Sequence, residues 1–518
     1  MIFFRLVLAF QLWAAPKAID YPKFEKFVQD MMTEFHVPGM AIGVVNKNGP
    51  VYMKGFGVRA AHQVMPVTEH TLFAIGSTTK AFTATSLGIL VDRGLLGWDQ
   101  PIVEKYLSEF SLLDPLATQM ITTRDLLTHR SGLPRHDLVW YGSPDSRVEL
   151  IRRIRYLQPT AGLREKTQYQ NGMFMVAGYL AGQVAGTSWE DFVSREILQK
   201  IGMSSTLLSV NGIEKSLDYA VPHRYVNGEI QEIPFRNIDA VAPAGAMNSS
   251  VEDMGRWLRL QLNEGELEGQ RIISKATLAE IHKPQMLSDM LGFNKIFPEF
   301  GLETYGMGWF VDQFYGKKLI HHGGGIDGFI TFVGFMPELD LGIVAFANAE
   351  SLAPYMAALA YLDMSMNETP APWLERLRTV SKPHPKDLAD VTPTVHPLTA
   401  YVGTYSHPAY GEMSVTVLPG GDGLELNHHA GKMAVAHYAD EAFYGKEEGG
   451  KVDRKTPPAV FQFGDKNAPD SLTFKADEVA DPVKFVRVPG AVRPNAKAGV
   501  LPTNRAPSTW LERVLDLK

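Results

Sequence analysis

Two textures of hydrophobic patterning divide the chain. In the first, residues 37–45 and 51–57 are β-rich runs on either side of Asn48-Gly49, and they predict a hairpin. Residues 77–93 carry Phe82, Leu87, Leu90 and Val91 at helical spacing and end at Gly94, a suitable C-cap. A helix this apolar belongs in the centre of a domain. Thr123 is placed to cap a short helix that Gly132 to Pro134 stops. Residues 173–185 form another apolar helix, and Ser249 or Ser250 caps a helix carrying Trp257 and Leu258. Strands are expected at 305–311, 318–321, 330–335 and 342–348, with turns at 322–329 and 337–341.

The second texture begins after a proline-rich, polar stretch from Lys382 to Pro397 that reads as an interdomain linker. Short alternating runs at 401–405, 413–418, 423–426, 460–463 and 472–474 follow, separated by turn residues. They predict a small antiparallel barrel or sandwich.

A length of 518 residues fits two or more domains, and 45% hydrophobic with 21% charged residues fits a globular chain. The net charge of -7 is mild and dispersed, which argues against nucleic acid or an anionic membrane surface as partner. The chain contains no cysteine, so disulfides, thiolate metal sites and cysteine nucleophiles are excluded. Met1 to Pro16 combines one basic residue, a short apolar run and small residues. This is the make-up of a secretory signal over residues 1–18, not of a span, which needs about 20 apolar residues. Export to the periplasm or exterior follows if it is a signal; the alternative is an apolar helix packed on the body of a cytoplasmic protein. No later segment is apolar and long enough to cross a bilayer.

The chemistry centres on Ser77-Thr78-Thr79-Lys80. Residues three apart share a helix face. Serine needs a neighbour to take its proton, and a desolvated lysine can fall toward neutral pKa and do so. Ser77 sits at a helix N-terminus, where the dipole favours developing negative charge. Alone, such a pair is more often a solvated helix face. Tyr169 and Asn171, two apart just before a helix, can face one cleft. Trp140 and Tyr141, in the loop 135–146, are candidate pocket walls. His129 reads as a structural histidine tying a helix end to the next loop. Gly323-Gly324-Gly325-Ile326-Asp327-Gly328 has the form G-x-G-x-x-G, but a β-rich run follows it instead of the helix a dinucleotide site requires. His428, His429 and His437 lack metal-ligand spacing and read as strand-end or surface residues. No metal or cofactor is implied.

Ser77-x-x-Lys80, Tyr169-x-Asn171 and His322-x-Gly324 stand in one order, and together they resemble the serine β-lactamase and penicillin-binding-protein superfamily in its class C-like branch. That branch includes family VIII carboxylesterases, D-aminopeptidases and D-alanyl-D-alanine carboxypeptidases. The segments around Leu126 to Pro134 and Gly202 to Thr206 are similar as well. The likeness covers about residues 22–365, and about 396–489 resembles an appended lipocalin-like domain. The resemblance implies an α/β (α+β) catalytic domain over 22–370, with an antiparallel sheet flanked by helices plus a helical region. A linker would follow at 371–395, then an all-β lipocalin-like barrel at 396–489 and a tail at 490–518.

The resemblance also implies roles. Ser77 becomes acylated, and Lys80 and Tyr169 share the general-base work. The N–H groups of Ser77 and Gly325 form the oxyanion hole, Asn171 orients Lys80 or the substrate amide, and His322, Gly323 and Gly324 line the substrate site. One departure stands out: His322-Gly323 replaces the Lys-Thr of the Lys-Thr-Gly motif, whose lysine helps to bind a substrate carboxylate. A histidine is a weaker, titratable cation. The expectation is therefore a serine acyl hydrolase of small peptides, amides or esters. A β-lactamase, a penicillin-binding sensor that acylates without turnover and a polymerising homologue are the alternatives. The partner is a small-molecule or short-peptide substrate, and homo-oligomerisation is open.

Overall fold

A computed structural model describes residues 16–490, apart from 227, 368, 382–385, 448–449, 457, 465–466 and 476–479. The signal-like segment 1–15 and the tail 491–518 lie outside the described residues. The first domain is built on an eight-stranded antiparallel sheet. Its strands are β1 (Gly39–Val45), β2 (Pro50–Gly57), β3 (Met286–Leu287), β4 (Thr304–Tyr305), β5 (Phe310–Phe314), β6 (Lys317–Ile326), β7 (Phe329–Met336) and β8 (Leu341–Ala347). They lie in the order β2-β1-β8-β7-β6-β5-β4-β3.

Alternate side chains of a strand point to opposite faces, and here both faces are covered. In β8, Ile343, Ala345 and Ala347 join one core cluster while Val344 and Phe346 join the other. The first face packs on α1 (Tyr21–Glu34) and on the later helix Ala353–Met364; the second packs on the helix Val251–Leu262. This explains why β1, β7 and β8 read as continuous apolar runs without polar alternation.

Beyond the second face lies a helical region built on α2 (Thr79–Asp92) and α3 (Asn171–Ala185). Almost every residue of α2 is buried, and Phe82 stacks on Trp257 with centroids 3.9 Å apart. The short helix Thr123–Leu127 is capped by Thr122, not Thr123: Thr122 accepts from the Asp125 N–H while Asp125 accepts from the Thr122 N–H, a closed capping box. Ser250 caps the helix Val251–Leu262.

The second domain is a closed barrel. Gly403–His407, Gly411–Val417, Leu424–His428, Gly431–Ala439 and Ala442–Glu447 pair in succession, Val483–Val488, Pro469–Phe474 and Ala459–Phe463 continue from Gly403–His407, and Ala442–Glu447 pairs with Ala459–Phe463 to close the ring. Closure leaves no free edge in the ring. Aromatic rings fill its interior, with Tyr401 set edge-on to Phe443 and Phe461 at 4.9 and 5.0 Å.

The expected linker is more ordered than its composition suggests. Residues 371–395 include the helix Trp373–Val380 and the strand Leu388–Asp390, which pairs with Lys451–Asp453. Trp373 is buried and donates to Asp363 at 2.9 Å, so an apolar anchor outweighs the polar, proline-rich context. No helix among the described residues is long and apolar enough to cross a membrane.

Candidate active site

Ser77 lies in a single 3-10 turn, Gly76–Thr78, that runs directly into α2. This turn packs against β6. Residues Lys317–His321 of β6 pair with β5, but from His322 onward the strand pairs only with β7, so its other edge is open toward the turn. Contact there is too close for side chains. A Cβ on Gly76, whose φ is +50°, would lie 2.6 Å from the Gly325 nitrogen, and one on Gly324 would lie 2.0 Å from the Ile75 carbonyl oxygen. The glycine run is therefore strand, not the turn its composition suggests; only Asp327-Gly328 turn the chain before β7. With β7 following, the dinucleotide-site requirement of a helix is not met.

Lys80 projects from the first turn of α2 and is fully buried. Its Nζ lies 2.9 Å from Ser77 Oγ, 2.8 Å from Asn171 Oδ1 and 2.8 Å from the Ala244 carbonyl oxygen. Burial holds its pKa well below the usual lysine range. The Arg135 charge lowers it further, and Asp137 pulls the other way. A neutral amine has two N–H donors and one lone pair. The amide and carbonyl oxygens can only accept, so they take the two donors, and the lone pair is left facing the Ser77 hydroxyl.

Asn171 opens α3, where Gln170 caps the helix by accepting from the Gly172 N–H at 2.6 Å. Tyr169 just before it is held by His129. The His129 carbonyl accepts from the Gln168 N–H at 2.7 Å, its Nδ1 accepts from the Gln170 N–H at 3.0 Å, and its ring lies 4.3 Å from the Tyr169 ring. His129 is thus a structural residue, but it ties the helix end to residues 168–170 and not to the next loop. Burial pushes the Tyr169 phenol up, opposed by the Arg135 charge and by a hydrogen bond with Ser77.

His322 differs from expectation. Its Nδ1–H donates to the Gly323 carbonyl at 2.6 Å, which leaves Nε2 to accept from the Tyr305 hydroxyl at 3.1 Å. Burial holds its pKa well below the ordinary histidine value, so at neutral pH it is an uncharged ring and not a titratable cation.

The loop named for its aromatics is held by hydrogen bonds from both of them. Trp140 Nε1 donates to Asp137 Oδ1 at 2.7 Å, and the Tyr141 hydroxyl donates to Asp327, just past β6, at 2.5 Å. Arg236 also binds Asp327, at 2.8 Å. Two residues that sequence reasoning did not single out complete the site. Asp137 Oδ1 accepts from Asn171 Nδ2 at 3.0 Å, and Arg135 donates to Asp137 at 2.7 Å while its guanidinium lies 4.6 Å from the Tyr169 ring. Their place in a loop already flagged for its aromatics was the one available signal. Of the barrel histidines, His428 stands at a strand end as expected but is buried, His429 is part-buried in the following turn, and His437 is buried inside Gly431–Ala439; no cluster of metal-ligating side chains occurs among the described residues.

Comparison with known proteins agrees with this architecture. Residues 24–367 match the Beta-lactamase family, and residues 389–487 match a domain of unknown function, DUF3471. The unguisins hydrolase ungD' of Aspergillus campestris is 30% identical over 422 residues, 76% of this chain and 77% of that protein. Protein flp of Staphylococcus aureus is 25% identical over 341 residues, 64% of this chain and 63% of its own length. Among solved structures, the octameric penicillin-binding protein homologue from Pyrococcus abyssi superposes with a TM-score of 0.62 over 90% of this chain and 100% of that one, a likeness of fold at 24% identity. With a family match spanning the whole catalytic domain and a 30%-identical hydrolase aligned across three quarters of its length, the chain belongs to the Beta-lactamase family and is a serine hydrolase of that family.

Proposed function

We propose that the chain cleaves small peptides, amides or esters through an acyl-enzyme on Ser77. Lys80 takes the Ser77 proton as Oγ attacks the carbonyl carbon, and the carbonyl oxygen becomes an oxyanion facing the N–H groups of Ser77 and Gly325. Losing one such donor typically costs about 10²–10³ in rate. Collapse breaks the bond to the leaving group, which departs with a proton from Tyr169. Water then attacks the acyl carbonyl and gives a proton back to Tyr169, and the bond to Ser77 Oγ breaks as Oγ recovers its proton from Lys80, releasing the acid. The raised pKa of Tyr169 and the lowered pKa of Lys80 support giving the acid role to the first and the base role to the second.

The observation that carries this reading is the fully buried Lys80 Nζ set 2.9 Å from Ser77 Oγ, with an amide oxygen and a carbonyl oxygen as its other two partners and no ion pair among the described residues. The neutral His322 supports peptides, amides and esters over penicillins, because no cation stands where the Lys-Thr-Gly lysine would meet a substrate carboxylate. The Aspergillus relative's name supports including an unguisin among the substrates tried.

The test is steady-state hydrolysis of p-nitrophenyl esters, D- and L-aminoacyl p-nitroanilides, an unguisin and nitrocefin, beside Ser77→Ala. The expected result is multiple turnovers of an ester or anilide, absent in the variant, with nitrocefin the poorer substrate. A single burst with covalent mass on Ser77 would mean a sensor. Nitrocefin as the best substrate would mean a β-lactamase, and no turnover or labelling would sink the mechanism.

A further inference from the structure

We propose that the C-terminal barrel positions the general base of the catalytic domain, with Tyr410 as the positioning residue acting on Lys80 through His136, Asp137 and Asn171. This rests on the hydrolase reading above, which makes Lys80 the base.

The link is a continuous set of contacts. The Gln158 carbonyl accepts from His136 Nε2–H at 3.0 Å, which fixes the tautomer and leaves Nδ1 to accept from the Tyr410 hydroxyl at 2.6 Å. Burial holds the His136 pKa down at about 4, so this neutral tautomer persists through the neutral range. The next residue, Asp137, holds Asn171 at 3.0 Å, and Asn171 holds Lys80 at 2.8 Å. His136 and Asp137 thus serve opposite partners from adjacent positions, one the barrel and the other the catalytic amine.

The backbone at this step is unusual. His136 has φ +50°, a left-handed conformation that residues other than glycine adopt uncommonly and that neighbouring contacts help to hold. The barrel supplies much of that restraint. His429 Nε2–H donates to the Leu138 carbonyl at 2.8 Å, and Gly142 lies so close to the barrel that a Cβ there would come within 2.5 Å of the His429 carbonyl oxygen. Arg153 reaches the Ala409 carbonyl at 3.4 Å and Asp145 at 2.9 Å, tying the barrel turn that carries Tyr410 to the far end of the loop. The opposite side of the loop is held by Tyr141 on Asp327. A loop gripped from both sides transmits the barrel's position to Asp137.

The experiment measures the rate at which a fluorophosphonate modifies Ser77, as a function of pH, in the full-length chain. Tyr410→Phe removes one hydroxyl, and Tyr405→Phe is the matched control, since its hydroxyl bonds the Tyr401 carbonyl within the barrel at 2.8 Å. Tyr410→Phe is expected to slow modification by about 3- to 10-fold, the effect of one lost hydrogen bond. It is also expected to move the acid limb of the rate to higher pH, because a loosened loop lets water reach Lys80 and its pKa rises toward the ordinary value. Tyr405→Phe leaves rate and limb unchanged, and Tyr410→Phe in an Asp137→Asn background is no slower than Asp137→Asn alone. His429→Asn, the second barrel grip, acts in the same direction and serves if Tyr410→Phe does not fold. A wild-type rate and limb in Tyr410→Phe, or effects that simply add to those of Asp137→Asn, would overturn the coupling while leaving the hydrolase reading intact. Failure of the wild type to be modified at Ser77 would overturn the hydrolase reading, and the coupling with it.

Discussion

Two fully buried charge-bearing side chains in the catalytic domain, Asp125 and Lys80, are surrounded on opposite terms. Asp125 is compensated on every side: it accepts from the Thr122 N–H and hydroxyl at 2.9 and 2.8 Å, from Arg130 at 2.6 Å, and from Arg164 at 3.0 and 2.8 Å. Its pKa falls below the usual carboxylate value although burial alone would raise it. Lys80 has two fixed oxygens, a hydroxyl and no carboxylate within bonding distance, and its pKa is driven down by desolvation. Burial is common to both. What separates a structural charge from a reactive amine is whether the environment completes the charge or withholds its partner.

The largest expected effect tests the second half of that contrast. Lys80→Met lowers kcat/KM by about 10²–10⁴, the usual worth of positioned proton transfer. It also isolates the lysine's protonation. With a folded pKa depressed below the unfolded value of about 10.4, Lys80 binds its proton more weakly in the native state between those two values. The stability of wild type relative to Lys80→Met therefore rises with pH through that window, by up to about 1.4 kcal/mol per unit, and is flat outside it. The cost of leaving Asn171 and Ala244 without their donor is the same at every pH and drops out of the slope. Denaturation curves of both proteins between pH 6 and 11 measure it; a difference that stays flat would mean a charged lysine and would remove Lys80 as the base.

Asp125→Asn tests the first half and is expected to cost about 3–5 kcal/mol at neutral pH, since the amide's NH₂ would face donors. The sign with pH is the reverse of the lysine case. A depressed carboxylate pKa contributes stability that is present above the unfolded value of about 3.9 and lost as pH falls through the folded one, so the gap between wild type and variant closes in acid. Turnover per folded molecule is expected to be unchanged. A variant that keeps its stability but loses activity would reverse the assignment of the two clusters.

The two clusters were unequally legible in sequence. Ser77 and Lys80 are three residues apart, across a 3-10 turn that runs directly into α2, so their meeting is a local consequence of helical geometry. Asn171 and Asp137 meet across 34 residues, and His136 and Tyr410 across 274, separations over which no periodicity carries information. The resemblance supplied Tyr169 and Asn171 but not Asp137 or Arg135. The glycine run was read as the turn between two β-rich runs; that its strand edge admits the Ile75 carbonyl in particular shows only once the folded turn is in place. In the barrel, five strands were legible from β-branched and aromatic alternation, while Gly431–Ala439, Ala442–Glu447 and Val483–Val488 were not; the three alanines and one glycine in the nine residues of the first give little β propensity.

The smallest expected effect concerns the charges around Lys80. Arg135 lowers the pKa of both Lys80 and Tyr169, and Asp137 raises both. If Lys80 must be neutral and Tyr169 protonated, the rate rises with pH through the first pKa and falls through the second. Arg135→Gln is expected to raise both, displacing the whole bell of kcat/KM to higher pH. Asp137→Asn, which removes the opposing charge, moves it to lower pH. A positional shift in opposite directions is a signature that simple loosening of the cleft cannot produce, because added hydration would raise the lysine pKa and lower the tyrosine pKa, narrowing the bell in both variants. Profiles that change only in height would leave Arg135 and Asp137 as walls of the cleft, and the tuning of Lys80 would then rest on burial alone.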